Sequence, residues 1–158
     1  MSWNFENAAP VIGTITEGNV WDGERMLYSN IAMSRILSYE PNSGLVETWC
    51  ENTEGTNGLN YDSEGRLFGC SGNGRRIVRF DPNGEMVNIA DRLGGRRING
   101  PNDLAITPSG SIYFSDRVGD VNPDVGIDHS SIISAEPQAE GTYEMRRRRR
   151  RKTTRQGA

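Results

Sequence analysis

Four side chains in this sequence carry oxygen where chemistry could use it: Glu17, Asn57, Asn102 and Asp103. Carboxylate and carboxamide oxygens are hard ligands, suited to Ca²⁺ or another oxygen-loving cation. Each also has a plain alternative. Asn102 and Asp103 lie in the Gly/Pro-marked stretch N-G-P-N-D from Asn99 to Asp103, where Asn and Asp routinely cap turns by bonding their own backbone. Glu17, between Thr16 and Gly18, reads equally as an exposed loop carboxylate. Other chemistries find little support. The only histidine is His129, no G-x-S-x-G elbow is present, and a Ser-His-Asp triad therefore lacks its partners. Cys50 and Cys70 form no CxxC pair, so free, partly buried thiols are expected.

The elements that would position these oxygens repeat along the chain. The stretch from Glu17 reads E-G-N-V-W-D-G-E-R-M-L-Y-S-N, that from Thr56 reads T-N-G-L-N-Y-D-S-E-G-R-L-F-G-C, and that from Pro101 reads P-N-D-L-A-I-T-P-S-G-S-I-Y-F-S-D. Each is followed by a strand and a further turn, as in R-I-V-R-F-D-P-N-G from Arg76. Glu17 and Asn57 are 40 residues apart, and Asn57 and Asn102 are 45 apart. Four short strands in such a period make one blade of a β-propeller. Apolar and polar residues alternate as half-buried strands require: Trp21, Leu27, Tyr28, Ile36 and Leu37 in the first unit, then Leu104, Ile106, Ile112, Phe114, Ile132 and Ile133 in the third. Glu17, Asn57 and Asn102-Asp103 fall at one position of the repeat. Equivalent loops of successive blades converge at one end of the central channel, so a polar pocket, with or without a metal, is expected there.

Nineteen glycines and seven prolines, with no sustained helical periodicity, agree with an all-β chain of little or no helix. No apolar run nears the ~20 residues that span a bilayer, and no signal peptide is evident, so a cytoplasmic protein is expected. The net charge of −3 hides two opposite parts. Residues 146–158 hold eight basic residues and no acid, which leaves the rest of the chain at −11. An acidic body suits a cation-binding protein and argues against nucleic acid as its partner. The expected organisation is an N-terminal arm over 1–15, three blades over 16–145, and an Arg-rich disordered tail over 146–158. The tail could be read as a nuclear-localisation or nucleic-acid patch, but a run of like charges is more simply a solvated terminus.

Several linked motifs resemble the SMP-30/gluconolactonase/LRE-like family of six-bladed propellers. They are T-E-G-x-V-W-D at Thr16 to Asp22, T-N-G-L-x-x-D-x-x-G-R-L at Thr56 to Leu67, A-D-R-L-G-G-R-R-I-N-G-P-N-D-L at Ala90 to Leu104, and S-I-Y-F-S-D at Ser111 to Asp116. E-G-T-Y-E-M-R-R at Glu140 to Arg147 also looks like a family strand. The resemblance implies a lactone hydrolase dependent on a divalent cation, Ca²⁺ or Zn²⁺, with a small sugar or other lactone as substrate. It matches Glu17 to a metal ligand and Asn102 to the Asn beside the metal that contacts substrate, with Asn57 and Asp103 as further substrate-binding candidates. The family's other metal ligands, in P-N-G-L and P-D-G motifs, and its expected base would lie past Ala158. About three blades of six are therefore expected here, in a truncated chain that binds cations weakly, hydrolyses lactones little, and self-associates through unpaired blade edges. The alternatives are a non-catalytic cation- or ligand-binding propeller fragment and a strictosidine-synthase-like propeller.

Overall fold

The computed structural model describes residues 3–9, 15–118, 126–127 and 129–147. Three four-stranded antiparallel sheets follow one another, each paired in chain order. Blade one contains β1 (Thr16–Trp21), β2 (Met26–Asn30), β3 (Arg35–Glu40) and β4 (Leu45–Glu51). Blade two contains β5 (Thr56–Tyr61), β6 (Leu67–Ser71), β7 (Arg76–Phe80) and β8 (Met86–Ala90). A two-stranded hairpin of β9 (Arg92–Leu93) and β10 (Arg96–Arg97) turns on Gly94-Gly95 before blade three. Blade three contains β11 (Pro101–Ile106), β12 (Ile112–Asp116), β13 (Ser131–Pro137) and β14 (Tyr143–Arg147). This is the all-β, three-blade propeller architecture expected from the repeat. Among the described residues, helix is confined to two 3-10 turns, Ile31–Met33 and Ala139–Gly141.

Local chemistry repeats with the fold. In the β1–β2 turn, Asp22 accepts the Glu24 and Arg25 backbone N–H groups and the Arg25 Nε–H. Asp62 does the same in the β5–β6 turn, accepting from the Glu64 and Arg66 backbones and from Arg66 Nε. An Asp that bonds the backbone two residues on closes a tight turn without help from elsewhere in the fold. In blade three Thr107 Oγ1 takes this place, accepting the Ser111 N–H.

Strand alternation sends the two faces of blade two into two separate cores. Leu67, Val78 and Phe80 pack with Leu27 and Ile36 of blade one. Phe68, Cys70 and Ile77 pack with Leu104, Ile112, Phe114 and Ile133 of blade three. Each such side chain, fully buried, contributes roughly 1.5–3 kcal/mol. Cys50 and Cys70 are free and buried in these cores, the Cys50 thiol donating to the Gly84 carbonyl at 3.1 Å. Burial holds the Cys70 thiol well above its ordinary pKa, so it stays protonated. Two residues assigned to the core by alternation are not covered: Trp21 is 51% exposed and Ile132 is 54% exposed.

The arm residues 3–9 form no regular element and are mostly exposed. Arg146 and Arg147, placed by composition in the tail, are the last residues of β14, opposite Ser134 and Ile133. The rest of the Arg-rich run, and most of the loop from Asn122 to Asp128, lie outside the described residues. Among the described residues, no helix is long and apolar enough to cross a membrane.

Candidate functional site

The first strand of every blade carries the same irregularity. The β1–β2 register shifts between Glu17 and Val20, the β5–β6 register between Thr56 and Leu59, and the β11–β12 register between Pro101 and Leu104. Glu17, Asn57 and Asn102 occupy the second position of their strands, so the repeat alignment survives in three dimensions. A bulge leaves backbone unpaired and re-aims the residues around it.

At these bulges the three first strands run side by side. Gly18 adopts φ 55°, and a Cβ there would collide with the Asn57 carbonyl and approach Gly58 Cα to 2.9 Å. A Cβ on Gly58 would stand 2.6 Å from Asp103 Oδ1 and 2.9 Å from the Asn102 carbonyl. Both positions thus require glycine for close backbone approach. β5 is wedged between β1 and β11, with Glu17, Asn57, Asn102 and Asp103 on neighbouring strands at one end of the array. Glu17, Asn102 and Asp103 are exposed, and Asn57 is half-buried. The Glu17 carbonyl accepts from Ser29 Oγ at 3.0 Å. Asp103 Oδ1 accepts its neighbour's amide, from Leu104, at 2.8 Å. Asp103 is therefore a backbone cap, as the plainer reading of this stretch had it, with Oδ2 left over. Among the described residues no three His, Cys, Asp or Glu side chains converge as a complete metal cage. The donor set is all oxygen and fits part of the shell of a hard cation, not the whole of it.

Behind this end lies a set of buried ties that sequence spacing does not reveal. Asp116 ends β12 at 1% exposure and accepts the Asn99 N–H (2.9 Å), the Gly100 N–H (2.9 Å) and Asn99 Nδ2 (3.1 Å). Burial raises its pKa above the ordinary 3.8, against these hydrogen bonds and the charge of Arg75. Asn99 Nδ2 also donates to the Ile127 carbonyl, and Arg75 Nε to the Ile98 carbonyl at 2.8 Å. These contacts hold the 98–100 segment that delivers Asn102 to its place. Blade two has a counterpart: Glu54, three residues before Asn57, receives Ser71 Oγ and the Arg76 guanidinium. The signal in the sequence was the repeat itself, since Asn30, Ser71 and Asp116 all end a second strand and are all buried.

Three comparisons bear on this arrangement. The gluconolactonase of Zymomonas mobilis is 26% identical over an alignment of 116 positions that covers 64% of this chain and 33% of that protein. The solved gluconolactonase of Xanthomonas campestris superposes with a TM-score of 0.76 at 28% identity, covering 87% of this chain and 48% of that one. Regucalcin from Agrobacterium tumefaciens, a calcium-binding protein, superposes at 0.58 with 14% identity over 76% of this chain and 45% of that one, a likeness of fold alone. The chain thus spans from one third to about half the length of these relatives. Residues 15–147 match the family model of the SMP-30/gluconolactonase/LRE-like region, and the chain belongs to that family.

Proposed function

We propose that this chain carries part of the channel-end site of a divalent-cation-dependent lactone hydrolase acting on a sugar lactone or another small lactone. The observation that carries the reading is the placement of Glu17, Asn57 and Asn102 at one register position of three adjacent first strands, packed backbone to backbone at Gly18 and Gly58. The gluconolactonase relatives supply the substrate class.

In this reading Glu17 and Asn102 would hold the cation, Ca²⁺ or Zn²⁺, through their side-chain oxygens. A cation bound there would supply Lewis acidity toward the lactone carbonyl and lower the pKa of bound water. Asn57 and Asp103 orient the substrate: the Asn57 amide can donate to a ring or carbonyl oxygen, and the spare Asp103 oxygen can accept from a sugar hydroxyl. The Asp116 tie to Asn99 and Gly100 fixes the segment that carries Asn102, and so acts on position only. No residue here is assigned as general base.

Glu17 and Asn102 provide a minority of the ~6–8 oxygens that Ca²⁺ takes. Calorimetric titration of the purified chain with Ca²⁺ and with Zn²⁺ should therefore give weak binding, abolished in Glu17→Gln, and little turnover of glucono-lactone. Cation binding that Glu17→Gln leaves unchanged would remove the metal assignment. Robust turnover dependent on Glu17 would show instead that three blades already complete the site.

A further inference from the structure

Asparagine followed by glycine occurs four times in the chain, as Asn57-Gly58, Asn73-Gly74, Asn83-Gly84 and Asn99-Gly100. In such a pair no Cβ hinders the glycine nitrogen from attacking the asparagine carboxamide. Attack needs two freedoms: a carboxamide able to swing over its own backbone, and a glycine N–H not committed to an acceptor. A fold withholds them by hydrogen bonding and close packing.

Three of the four pairs lack these freedoms. The Gly100 N–H donates to Asp116 Oδ1 at 2.9 Å, and Asn99 Nδ2 donates to Asp116 Oδ2 and to the Ile127 carbonyl. The Gly84 N–H donates to the Asp81 carbonyl at 2.8 Å, while Asn83 Oδ1 accepts the Glu85 N–H at 3.1 Å. Asn57 and Gly58 lie in β5, where Gly58 is buried and packed too closely against Asn102 and Asp103 to admit a Cβ.

Asn73-Gly74 differs in each respect. It lies in the turn between β6 and β7, and Asn73 is exposed. Backbone bonds hold the turn on either side of the reacting atoms. The Asn73 N–H donates to the Glu54 carbonyl at 3.1 Å, and the Arg75 N–H to the Gly72 carbonyl at 3.3 Å. Among the described residues, neither the Asn73 carboxamide nor the Gly74 N–H has a hydrogen-bond partner. We propose that Asn73 is a site of spontaneous deamidation, the first of the four pairs to convert in the folded chain.

The Gly74 nitrogen gives its proton to solvent base and bonds to Asn73 Cγ. The Cγ–Nδ2 bond then breaks, and the nitrogen leaves with a proton as ammonia. Water opens the resulting succinimide at either carbonyl, and the ring nitrogen regains its proton. Opening at Cγ gives aspartate at position 73, and opening at the backbone carbonyl gives isoaspartate. Nothing is oxidised or reduced, and water is the only co-reactant. Both products set a new carboxylate on the turn beside Glu54, whose Oε2 receives Ser71 Oγ and the Arg76 guanidinium. The step uses neither cation nor lactone, so it stands or falls apart from the lactonase reading.

The test is to hold the purified chain in mildly alkaline buffer and follow it by isoelectric focusing and by mass spectrometry of tryptic peptides. Cleavage after Arg66 and Arg75 leaves Asn73 as the sole asparagine of peptide 67–75. A band more acidic by one charge, running with Asn73→Asp, should appear as that peptide converts, ahead of the peptides holding Asn57, Asn83 and Asn99. Mildly acidic buffer should slow it. Asn73→Gln should not form this first band while keeping the wild-type far-UV circular dichroism. In guanidinium chloride, with turns and ladders lost, the four pairs should convert at similar rates. Conversion at Asn57, Asn83 or Asn99 before or together with Asn73 in the folded chain would overturn the proposal. So would a 67–75 peptide that stays unchanged in the folded chain after the unfolded chain has converted.

Discussion

Two carboxylates at opposite ends of the blades accept the same kinds of hydrogen bond and titrate in opposite directions. Asp62, with a side chain 2% exposed, accepts two backbone N–H groups and the Nε–H of Arg66 in the β5–β6 turn. Asp116, 1% exposed, accepts two backbone N–H groups and the amide of Asn99 at the end where Glu17, Asn57 and Asn102 gather. For Asp62, burial pushes the pKa up, but the Arg66 backbone, the Arg66 side chain and the Glu64 backbone outweigh it, and the result is lowered. For Asp116 burial wins, and the result is raised. Two things differ: Asp62 is a partly exposed residue that bonds the Arg66 guanidinium directly, whereas Asp116 is buried and accepts from Asn99 and Gly100. A charge-assisted pair is about twice as strong as a neutral hydrogen bond, and together with the lesser burial of Asp62 it sets the sign. The turn end of the blade is thus neutralised locally, while the site end keeps a buried carboxylate held by dipoles and by the charge of Arg75.

The largest effect should come from removing the carboxylate that nothing can replace. Asp116→Ala leaves the Asn99 and Gly100 N–H groups and the Asn99 amide without their acceptor in a buried setting. A loss of about 3 kcal/mol is expected in urea denaturation, at 1–3 kcal/mol per group left unsatisfied, less the relief of burying no charge. Asp62→Ala frees backbone groups in a surface turn and an Arg66 that is 41% exposed and can rehydrate, so about 1–2 kcal/mol is expected. A reversed order would mean that the Arg66 pair at Asp62 outweighs the buried ties of Asp116 to Asn99 and Gly100.

This contrast was only half legible in the sequence. The turn at Asp62 is local, and D-S-E-G-R announces it. Asp116 meets Asn99 across 17 residues, where no local spacing connects them, and so it read as a strand ending and nothing more. The blades themselves were legible because period, alternation and turn residues agreed. The shared position of Glu17, Asn57 and Asn102 followed from the same repeat. The β9–β10 hairpin is not legible, because two-residue strands are too short to show alternation. Alternation places Trp21 and Ile132 in the core because it identifies an apolar face without saying whether anything covers it. Composition groups Arg146 and Arg147 with the tail, because a run of like charges hides the alternation that puts Met145 into the core.

A smaller change should move Asp62 toward the behaviour of Asp116. Arg66→Gln keeps a donor near the turn and removes the charge. Because Arg66 is partly exposed and its pair is screened by solvent, the stability cost should be at most about 1 kcal/mol. The Asp62 carboxyl should titrate at higher pH by NMR than in the wild type. No movement would show that the backbone N–H groups alone set its ionisation, and the comparison with Asp116 would then need another cause.

The smallest effect, and the sharpest in sign, lies in the acid range. Both residues have an ordinary pKa of 3.8 when unfolded. Asp62 is lowered by folding, so its contribution is fully present above 3.8 and is lost as pH falls through the native value. Asp116 is raised, so in the window above 3.8 the native state binds a proton that the unfolded state has released, and stability falls as pH rises through that window. In the wild type the two slopes oppose one another, and the variants separate them. Asp62→Asn should flatten the loss of stability on acidification below 3.8, compared by urea denaturation along a pH series. Asp116→Asn should remove the downward slope above 3.8, so that its deficit relative to wild type narrows as pH rises through the window. If Asp116→Asn instead flattened the acid-side loss in the manner of Asp62→Asn, the Asn99 and Gly100 dipoles would be sufficient to hold Asp116 ionised. The two ends of the blade would then differ in donors alone and not in charge.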